Sequence, residues 1–298
     1  MDAVRTPDER FENLPDWDFT PNYVEDLEGY NGLRVHYVDE GPKDADRVFL
    51  CLHGQPSWSF LYRKMIPEFV ASGARVIAPD WLGFGRSDKP MADEVYGFNF
   101  HRDMMIALVK HLDLQNITLV VQDWGGVLGL TLPHVMPERV SRLLIMNTAL
   151  AIGLPAGKGF EDWRAYNRAN PDMDIAALMA RATPILSEAE AAAYAAPFPD
   201  VTFKAGVRRF PDMVMTDPSM EGVDHSKDAL TFFQNNWSGE SFMAIGMQDP
   251  VLGPPAMHWL KSQVKGCPEP LEIADGGHFV QEWGGPIATA AMTHWGDI

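Results

Sequence analysis

Short apolar runs alternate along this chain with longer segments whose apolar residues recur at helical spacing. Residues 100–112 show that helical spacing, with Met104, Met105 and Leu108 among the apolar positions. Continuous apolar runs are typical of parallel strands that are buried on both faces. Together the two patterns predict an α/β fold with a mostly parallel central sheet flanked by helices. The predicted strands are residues 48–52, 75–78, 117–121, 143–146, 242–245 and 271–273.

This rhythm breaks between residues 153 and 217. No strand-like run occurs there, and several prolines separate Ala-rich segments, 174–182 and 187–196, that are typical of helices. Ligands of open α/β folds bind at the carboxyl ends of the strands. We therefore interpret the stretch as an inserted helical cap over that edge. The predicted division is a core of residues 1–152 and 218–298, and a cap of residues 153–217.

The residues that follow the third predicted strand carry the chemistry. Asp123 lies in Val121-Gln122-Asp123-Trp124-Gly125-Gly126, between that strand and an apolar stretch, 127–136, that we expect to be helical. A strand, a tight turn and a helix are the context of a nucleophile elbow. A carboxylate is ionised at neutral pH and needs no base to become a nucleophile. Its attack on a carbonyl would give an unstable anhydride, whereas attack on saturated carbon gives an alkyl ester. The substrate is therefore expected to carry an electrophilic sp³ carbon, as in a haloalkane or an epoxide.

Water must then cleave that ester, so the site needs a general base and an acid that orients it. His278 follows the last predicted strand, on a glycine-rich loop that we expect to reach the elbow. Asp249 follows the fifth strand, whereas Asn147 and Thr148 after the fourth offer no carboxylate. We predict His278 as the base and Asp249 as the orienting acid. Asp275 is nearer to His278 in sequence, but its Gly-rich surroundings are typical of a turn.

The tetrahedral intermediate of ester cleavage needs an oxyanion hole, which two backbone N–H groups can form. We predict that these come from Trp124, directly after the nucleophile, and from Gln55 in the segment His53-Gly54-Gln55-Pro56.

The leaving group separates the two substrate classes. A halide needs weakly acidic N–H donors in an apolar pocket, and an indole only donates. Trp124 beside the nucleophile and Trp163 in the cap are the predicted halide-binding pair. An epoxide oxygen instead needs an acidic donor such as a tyrosine. Tyr166 and Tyr194 in the cap keep an epoxide hydrolase open as the alternative.

Composition and charge limit the kinds of partner that we expect this protein to bind. The chain has 298 residues, 46% of them hydrophobic, and a formal net charge of −17. That charge argues against nucleic acid and anionic membranes, and no apolar run has the roughly 18 residues of a membrane helix. The polar N-terminus is unlike a signal peptide, and Cys51 and Cys267 predict no disulfide framework. We expect a cytoplasmic monomer without metal or cofactor, since neither metal-ligand spacing nor a nucleotide-binding loop is evident.

Nearly the whole chain resembles the haloalkane dehalogenases of the α/β-hydrolase superfamily, close to the subfamily whose acid follows the later strand. The resemblance implies an α/β-hydrolase fold, Asp123 as nucleophile, Asp249 as acid, His278 as base, and Trp124 with Trp163 as the halide-binding pair. The segments that carry it are His53 to Ser59, Asp80 to Pro90, Val121 to Gly126, Gly246 to Asp249 and Gly277 to Glu282. It also implies an apolar substrate pocket lined by Phe160, Phe210, Pro211 and Val214.

The sequence thus predicts a haloalkane dehalogenase, which turns a primary halogenated alkane and water into an alcohol, a halide and a proton. A chain resembling the fluoroacetate-type dehalogenases would be expected to carry Arg directly after the elbow aspartate. This chain has Trp124 there, so that family fits less well. A non-catalytic receptor on the same fold is disfavoured by the intact set of Asp123, Asp249 and His278.

Overall fold

The computed structural model describes residues 2–30 and 32–298. Within these residues the strands are β1 (Ala3–Val4), β2 (Asn22–Val24), β3 (Val35–Glu40), β4 (Val48–Leu52), β5 (Arg75–Pro79), β6 (Lys89–Pro90), β7 (Ile117–Val121), β8 (Val140–Met146), β9 (Glu240–Gly246) and β10 (Leu271–Ile273). The helices are α1 (Ile66–Ala71), α2 (Phe98–His111), α3 (Trp124–Gly129), α4 (Lys158–Ala169), α5 (Ile175–Ala182), α6 (Glu188–Ala195), α7 (Ala205–Met213), α8 (Val223–Asn235), α9 (Pro254–Gln263) and α10 (Gly284–Trp295). In this part of the chain, no helix combines the length and the apolar character needed to cross a membrane.

The described strands form an eight-stranded main sheet in the order β10-β9-β8-β7-β4-β5-β3-β2. Neighbours from β10 to β5 are parallel, so the prediction of a mostly parallel sheet is confirmed. Strands β4 and β7 at its centre are buried at every position, which explains their continuous apolar sequences. The parallel strands end at one edge, and that edge carries the candidate site.

The apolar pattern does not predict β2 and β3, which extend the sheet with antiparallel pairing. Strand β3 mixes Val35 and Val38 with His36, Asp39 and Glu40. Such a mixed sequence suits a strand near a sheet edge, where one face is partly exposed, and it lacks the continuous apolar run that marks the central strands.

The helix after the elbow is shorter than the sequence pattern predicts. Helix α3 ends at Gly129, whereas the apolar stretch extends to residue 136. Pro133 gives the reason, because proline has no N–H for a bond to the carbonyl four residues earlier, and its ring clashes with that carbonyl. The carbonyl four residues before Pro133 is that of Gly129, where the helix stops.

Helices α4 to α7 lie within residues 153–217, a stretch that is described throughout and contains no strand. Helix α5 begins after Asp174, whose side chain accepts the N–H of Ala177. Helix α6 begins after Ser187, which forms a capping box with Glu190. Local capping chemistry therefore sets where these two helices start. The limits of a separate cap at residues 153 and 217 stay a prediction.

Candidate active site

Asp123 occupies a strained turn between β7 and α3, with φ 48° and ψ −126°. A positive φ is uncommon for a residue with a side chain and requires support from its surroundings. Two glycines make room for it: a Cβ on Gly54 would lie 2.2 Å from Asp123 Oδ1, and one on Gly125 would lie 1.9 Å from the carbonyl oxygen of Leu52. The backbone N–H of Asp123 also donates to the carbonyl of Asn147 at 3.0 Å. The tight packing holds the carboxylate at the carboxyl edge of the sheet.

The imidazole of His278 lies between two carboxylates. Its Nδ1 is 2.8 Å from Asp249 Oδ2, and its Nε2 is 3.5 Å from Asp123 Oδ2. Asp249 follows β9, and its other oxygen accepts the N–H groups of Val251 at 2.9 Å and Leu252 at 3.1 Å. The structure therefore brings together all three residues predicted for the chemistry, although 126 and 29 positions of sequence separate Asp123 from Asp249 and Asp249 from His278.

Asn147 fixes the acid from the other side. Its side-chain amide donates to Asp249 Oδ2 at 3.0 Å and to the carbonyl of Gly246 at 3.1 Å, and its oxygen accepts the Gly246 N–H at 2.7 Å. Sequence reasoning considered this position only as one that lacks a carboxylate. The signal that points to it is its place directly after β8, next to the strand that carries Asp249.

The charges of the site shift two pKa values in opposite directions. Burial lowers the pKa of His278, but the negative charges of Asp249 and Asp123 outweigh burial and raise it to about 10. Burial raises the pKa of Asp249, but the adjacent imidazolium and the N–H donors outweigh it and lower the value to about 2. Both shifts favour the charged forms, a His278 imidazolium paired with the Asp249 carboxylate.

The predicted oxyanion donors lie next to Asp123. The backbone N–H of Gln55 donates to Asp123 Oδ1 at 2.8 Å. Trp124 is the first residue of α3, and the first four N–H groups of a helix have no partner within the helix. One carboxylate oxygen thus has an N–H donor, while the other faces His278.

A cavity of about 970 Å³ opens above these residues. From the core it is bordered by Gln55, Asp123, Trp124 and His278, and from the cap by Phe160, Trp163, Pro211 and Val214. Phe210, which the resemblance places in the pocket lining, is not among the described residues that border the cavity. It is fully buried and packs edge-on against Trp124, with ring centroids 4.9 Å apart. It therefore packs against the indole of Trp124 without bordering the cavity.

Neither tyrosine considered for epoxide chemistry borders the cavity within the described part of the chain. Tyr194 is buried and donates its hydroxyl hydrogen bond to Glu282. Tyr166 is 38% exposed and stacks on Trp163 at a centroid distance of 6.0 Å. Trp124 and Trp163 do border the cavity, and an indole, which only donates, suits a halide rather than an epoxide oxygen.

Similarity to known proteins shows which family this chain belongs to. The family model described as alpha/beta hydrolase fold matches residues 47–285. A haloalkane dehalogenase of Psychrobacter cryohalolentis is 43% identical, over 95% of this chain and 94% of its own. One from Mycolicibacterium paratuberculosis is 38% identical, over 99% and 98%. The chain belongs to the haloalkane dehalogenases. The α/β-hydrolase fold predicted from the sequence is confirmed, and the epoxide hydrolase alternative is not favoured.

A solved structure of a haloalkane dehalogenase agrees with this membership across the whole fold. The tetrameric enzyme DpaA from Paraglaciecola agarilytica NO2 superposes with a TM-score of 0.97 at 52% identity, covering 98% of each chain. That relative is a tetramer, and a monomer for this chain stays a prediction.

Proposed function

We propose that this protein hydrolyses halogenated alkanes to an alcohol and a halide through an alkyl ester on Asp123. The observation that carries the proposal is the environment of one carboxylate. One oxygen of Asp123 accepts the Gln55 N–H, and the other lies 3.5 Å from His278, beneath an apolar cavity. A nucleophile held in this way, with no hydroxyl or thiol in its place, suits displacement at saturated carbon.

In the first step an oxygen of Asp123 attacks the carbon that carries the halogen. The new C–O bond forms as the carbon–halogen bond breaks, and the bonding pair leaves with the halide. The indole N–H groups of Trp124 and Trp163 stabilise the negative charge that develops on the halogen. A hydrogen bond to a charged group contributes about 1.5–3 kcal/mol, and the apolar walls strengthen it by excluding water.

In the second step His278 becomes the general base. The ester on Asp123 is neutral, so one of the two charges that raise the pKa of His278 is lost and the imidazolium releases its proton to solvent. Neutral His278 then removes a proton from water, which attacks the ester carbonyl carbon. The N–H groups of Gln55 and Trp124 stabilise the oxyanion. Its collapse breaks the bond to the alkoxide, which takes up the proton of the added hydroxyl and leaves as the alcohol, so Asp123 is restored as a carboxylate and His278 as an imidazolium. The net reaction consumes one alkyl halide and one water and yields alcohol, halide and a proton.

The test is halide release from a series of primary chloro-, bromo- and iodoalkanes. Wild-type protein is expected to release halide with turnover, and rapid denaturation during turnover followed by mass spectrometry is expected to find the alkyl group on the peptide containing Asp123. A folded Asp123→Ala variant is expected to release none. Asp123→Asn is a poorer choice, because slow deamidation restores the acid. A wild-type protein that hydrolyses epoxides but releases no halide would replace this proposal with the alternative.

Three finer points stay proposals. We expect a cap bounded by residues 153 and 217, a cytoplasmic location and a monomer, and light scattering with the tetrameric relative as reference tests the last of these. The substrate partners proposed are a small halogenated alkane and water, with halide as a product.

A further inference from the structure

Helix α7 of the cap contains a proline with a consequence for the active site. Pro211 has no N–H, so the carbonyl of Val207, four residues earlier, receives no helical hydrogen bond from that position. Two side chains replace it: Gln55 Nε2 donates to Val207 O at 2.9 Å, and Asn167 Nδ2 donates at 3.0 Å. Gln55 and Asn167 are only 4% and 1% exposed. A buried carbonyl of the cap is thus satisfied once from the core and once from α4.

Gln55 is therefore bonded at both of its ends. Its backbone N–H donates to Asp123 Oδ1 at 2.8 Å, while its side chain reaches the cap through Val207. Gly54, which directly precedes Gln55 in the chain, packs against the carboxylate of Asp123. A shift of the Gln55 side chain is consequently expected to move the oxyanion donor relative to the nucleophile.

We propose that the Gln55 side chain is a positioning residue: by donating to the Val207 carbonyl that Pro211 leaves free, it couples cap helix α7 to the oxyanion hole. This inference rests on the proposed function, since it concerns the ester formed on Asp123. Charge develops on the oxygen that faces the Gln55 N–H during ester hydrolysis, not during halide displacement. The coupling therefore acts on the second step of the reaction.

The variant Gln55→Met keeps an unbranched side chain of similar length and removes the donor. It is expected to release the first halide at close to the wild-type rate but to hydrolyse the alkyl ester about 10- to 100-fold more slowly, since small misplacements of a catalytic donor carry costs of this order. Single-turnover halide release measures the first step, and the decay of the alkylated protein by mass spectrometry measures the second.

Asn167→Met is the matched control, because it removes the other donor to the same carbonyl and leaves the Gln55 bond in place. Ester hydrolysis in this control is expected to stay within about threefold of wild type. Equal slowing in Asn167→Met and Gln55→Met would overturn the proposal, because the effect would then be a general loosening of the cap. Unchanged ester hydrolysis in Gln55→Met would overturn it as well.

Pro211→Ala provides a second route that leaves Gln55 itself intact. Alanine restores an N–H that competes for Val207 O, so ester hydrolysis is expected to slow in the same step, by less than in Gln55→Met. If Gln55→Met does not fold, unchanged ester hydrolysis in Pro211→Ala overturns the proposal. The wild-type experiment separates this result from the larger one: absence of halide release in wild type removes the proposed function, whereas wild-type alkylation with unaffected variants removes only the coupling.

Discussion

Two histidine–carboxylate pairs in this molecule have nearly the same geometry. His278 Nδ1 lies 2.8 Å from Asp249 Oδ2, and His36 Nδ1 lies 2.7 Å from Asp80 Oδ2. Both aspartates also accept backbone N–H groups, Asp249 from the loop after β9 and Asp80 from Ser59 and Arg86. The hydrogen bond between the two partners therefore does not distinguish the predicted catalytic pair from a structural one.

The difference lies in what surrounds each pair. The side chains of His36 and Asp80 are 1% and 0% exposed, and neither borders the described cavity. The side chain of His278 is 19% exposed, borders the cavity and turns its second nitrogen towards Asp123. Burial raises the pKa of Asp80, but His36, His53 and backbone donors hold it well below its usual range. The His36–Asp80 pair ties β3 to the loops after β4 and β5. In the other pair, the second nitrogen of His278 remains on the side of Asp123 and the cavity, where a proton can be exchanged.

The largest expected difference between the pairs concerns the histidines. His278→Gln is expected to release about one halide per active site in a burst and then to stall, because alkylation needs no base and ester hydrolysis does. His36→Gln is expected to keep steady turnover once folded. Burst kinetics with mass spectrometry of the peptide containing Asp123 measure both. A folded His278→Gln protein that binds substrate but shows no burst and no adduct would remove His278 from this role.

Exchanging each aspartate for asparagine separates activity from stability. Asp249→Asn is expected to lower turnover on the order of 10⁴-fold, by analogy with the loss of imidazole orientation in other triads. Asp80→Asn is expected to lower the free energy of unfolding by about 3–5 kcal/mol, because it disrupts a buried charged network, while the folded fraction still releases halide. Urea unfolding followed by circular dichroism gives the stabilities. Large loss of turnover per folded molecule in Asp80→Asn would contradict the distinction.

A smaller effect is expected for Trp163, the predicted halide donor from the cap that borders the cavity. Trp163→Phe keeps most of the apolar bulk and removes the indole donor, so carbon–halogen cleavage is expected to slow by about 10- to 100-fold. Bromide or iodide is expected to quench wild-type tryptophan fluorescence saturably and to bind the variant more weakly. Wild-type rates and halide affinity in Trp163→Phe would mean that another cap residue supplies the second donor.

The smallest expected effect concerns proton binding. The pKa of His278 is raised from 6.5 to about 10, so its ion pairs stabilise the folded state fully below about pH 6.5 and lose that contribution as the pH rises through about 10. Asp123→Ala removes one of the two charges, so His278 is expected to titrate at lower pH than in wild type. Imidazole chemical shifts across a pH series measure both proteins. Identical titration in the two would contradict the proposed release of the proton on ester formation.

The sequence by itself determined the parallel part of the sheet and predicted the type of chemistry. Fully buried parallel strands such as β4 and β7 leave a local mark, a continuous apolar run. The six residues from Val121 to Gly126 predict a carboxylate nucleophile, Asp123, at the turn after β7. The placement of Asp249 and His278 followed because each comes a few residues after a predicted parallel strand, and such strands end at the same edge of the sheet.

Only the tertiary structure decided the contacts that join distant segments. Gln55 and Val207 are 152 positions apart, and Asn147 and Asp249 are 102 apart, so no periodic pattern in the chain relates either pair. The fully buried position of Phe210 behind Trp124 likewise depends on how α7 packs on the core. Residue type and spacing encode strands, caps and an elbow because these are local. The direction in which a side chain points across two packed elements is settled by three-dimensional packing.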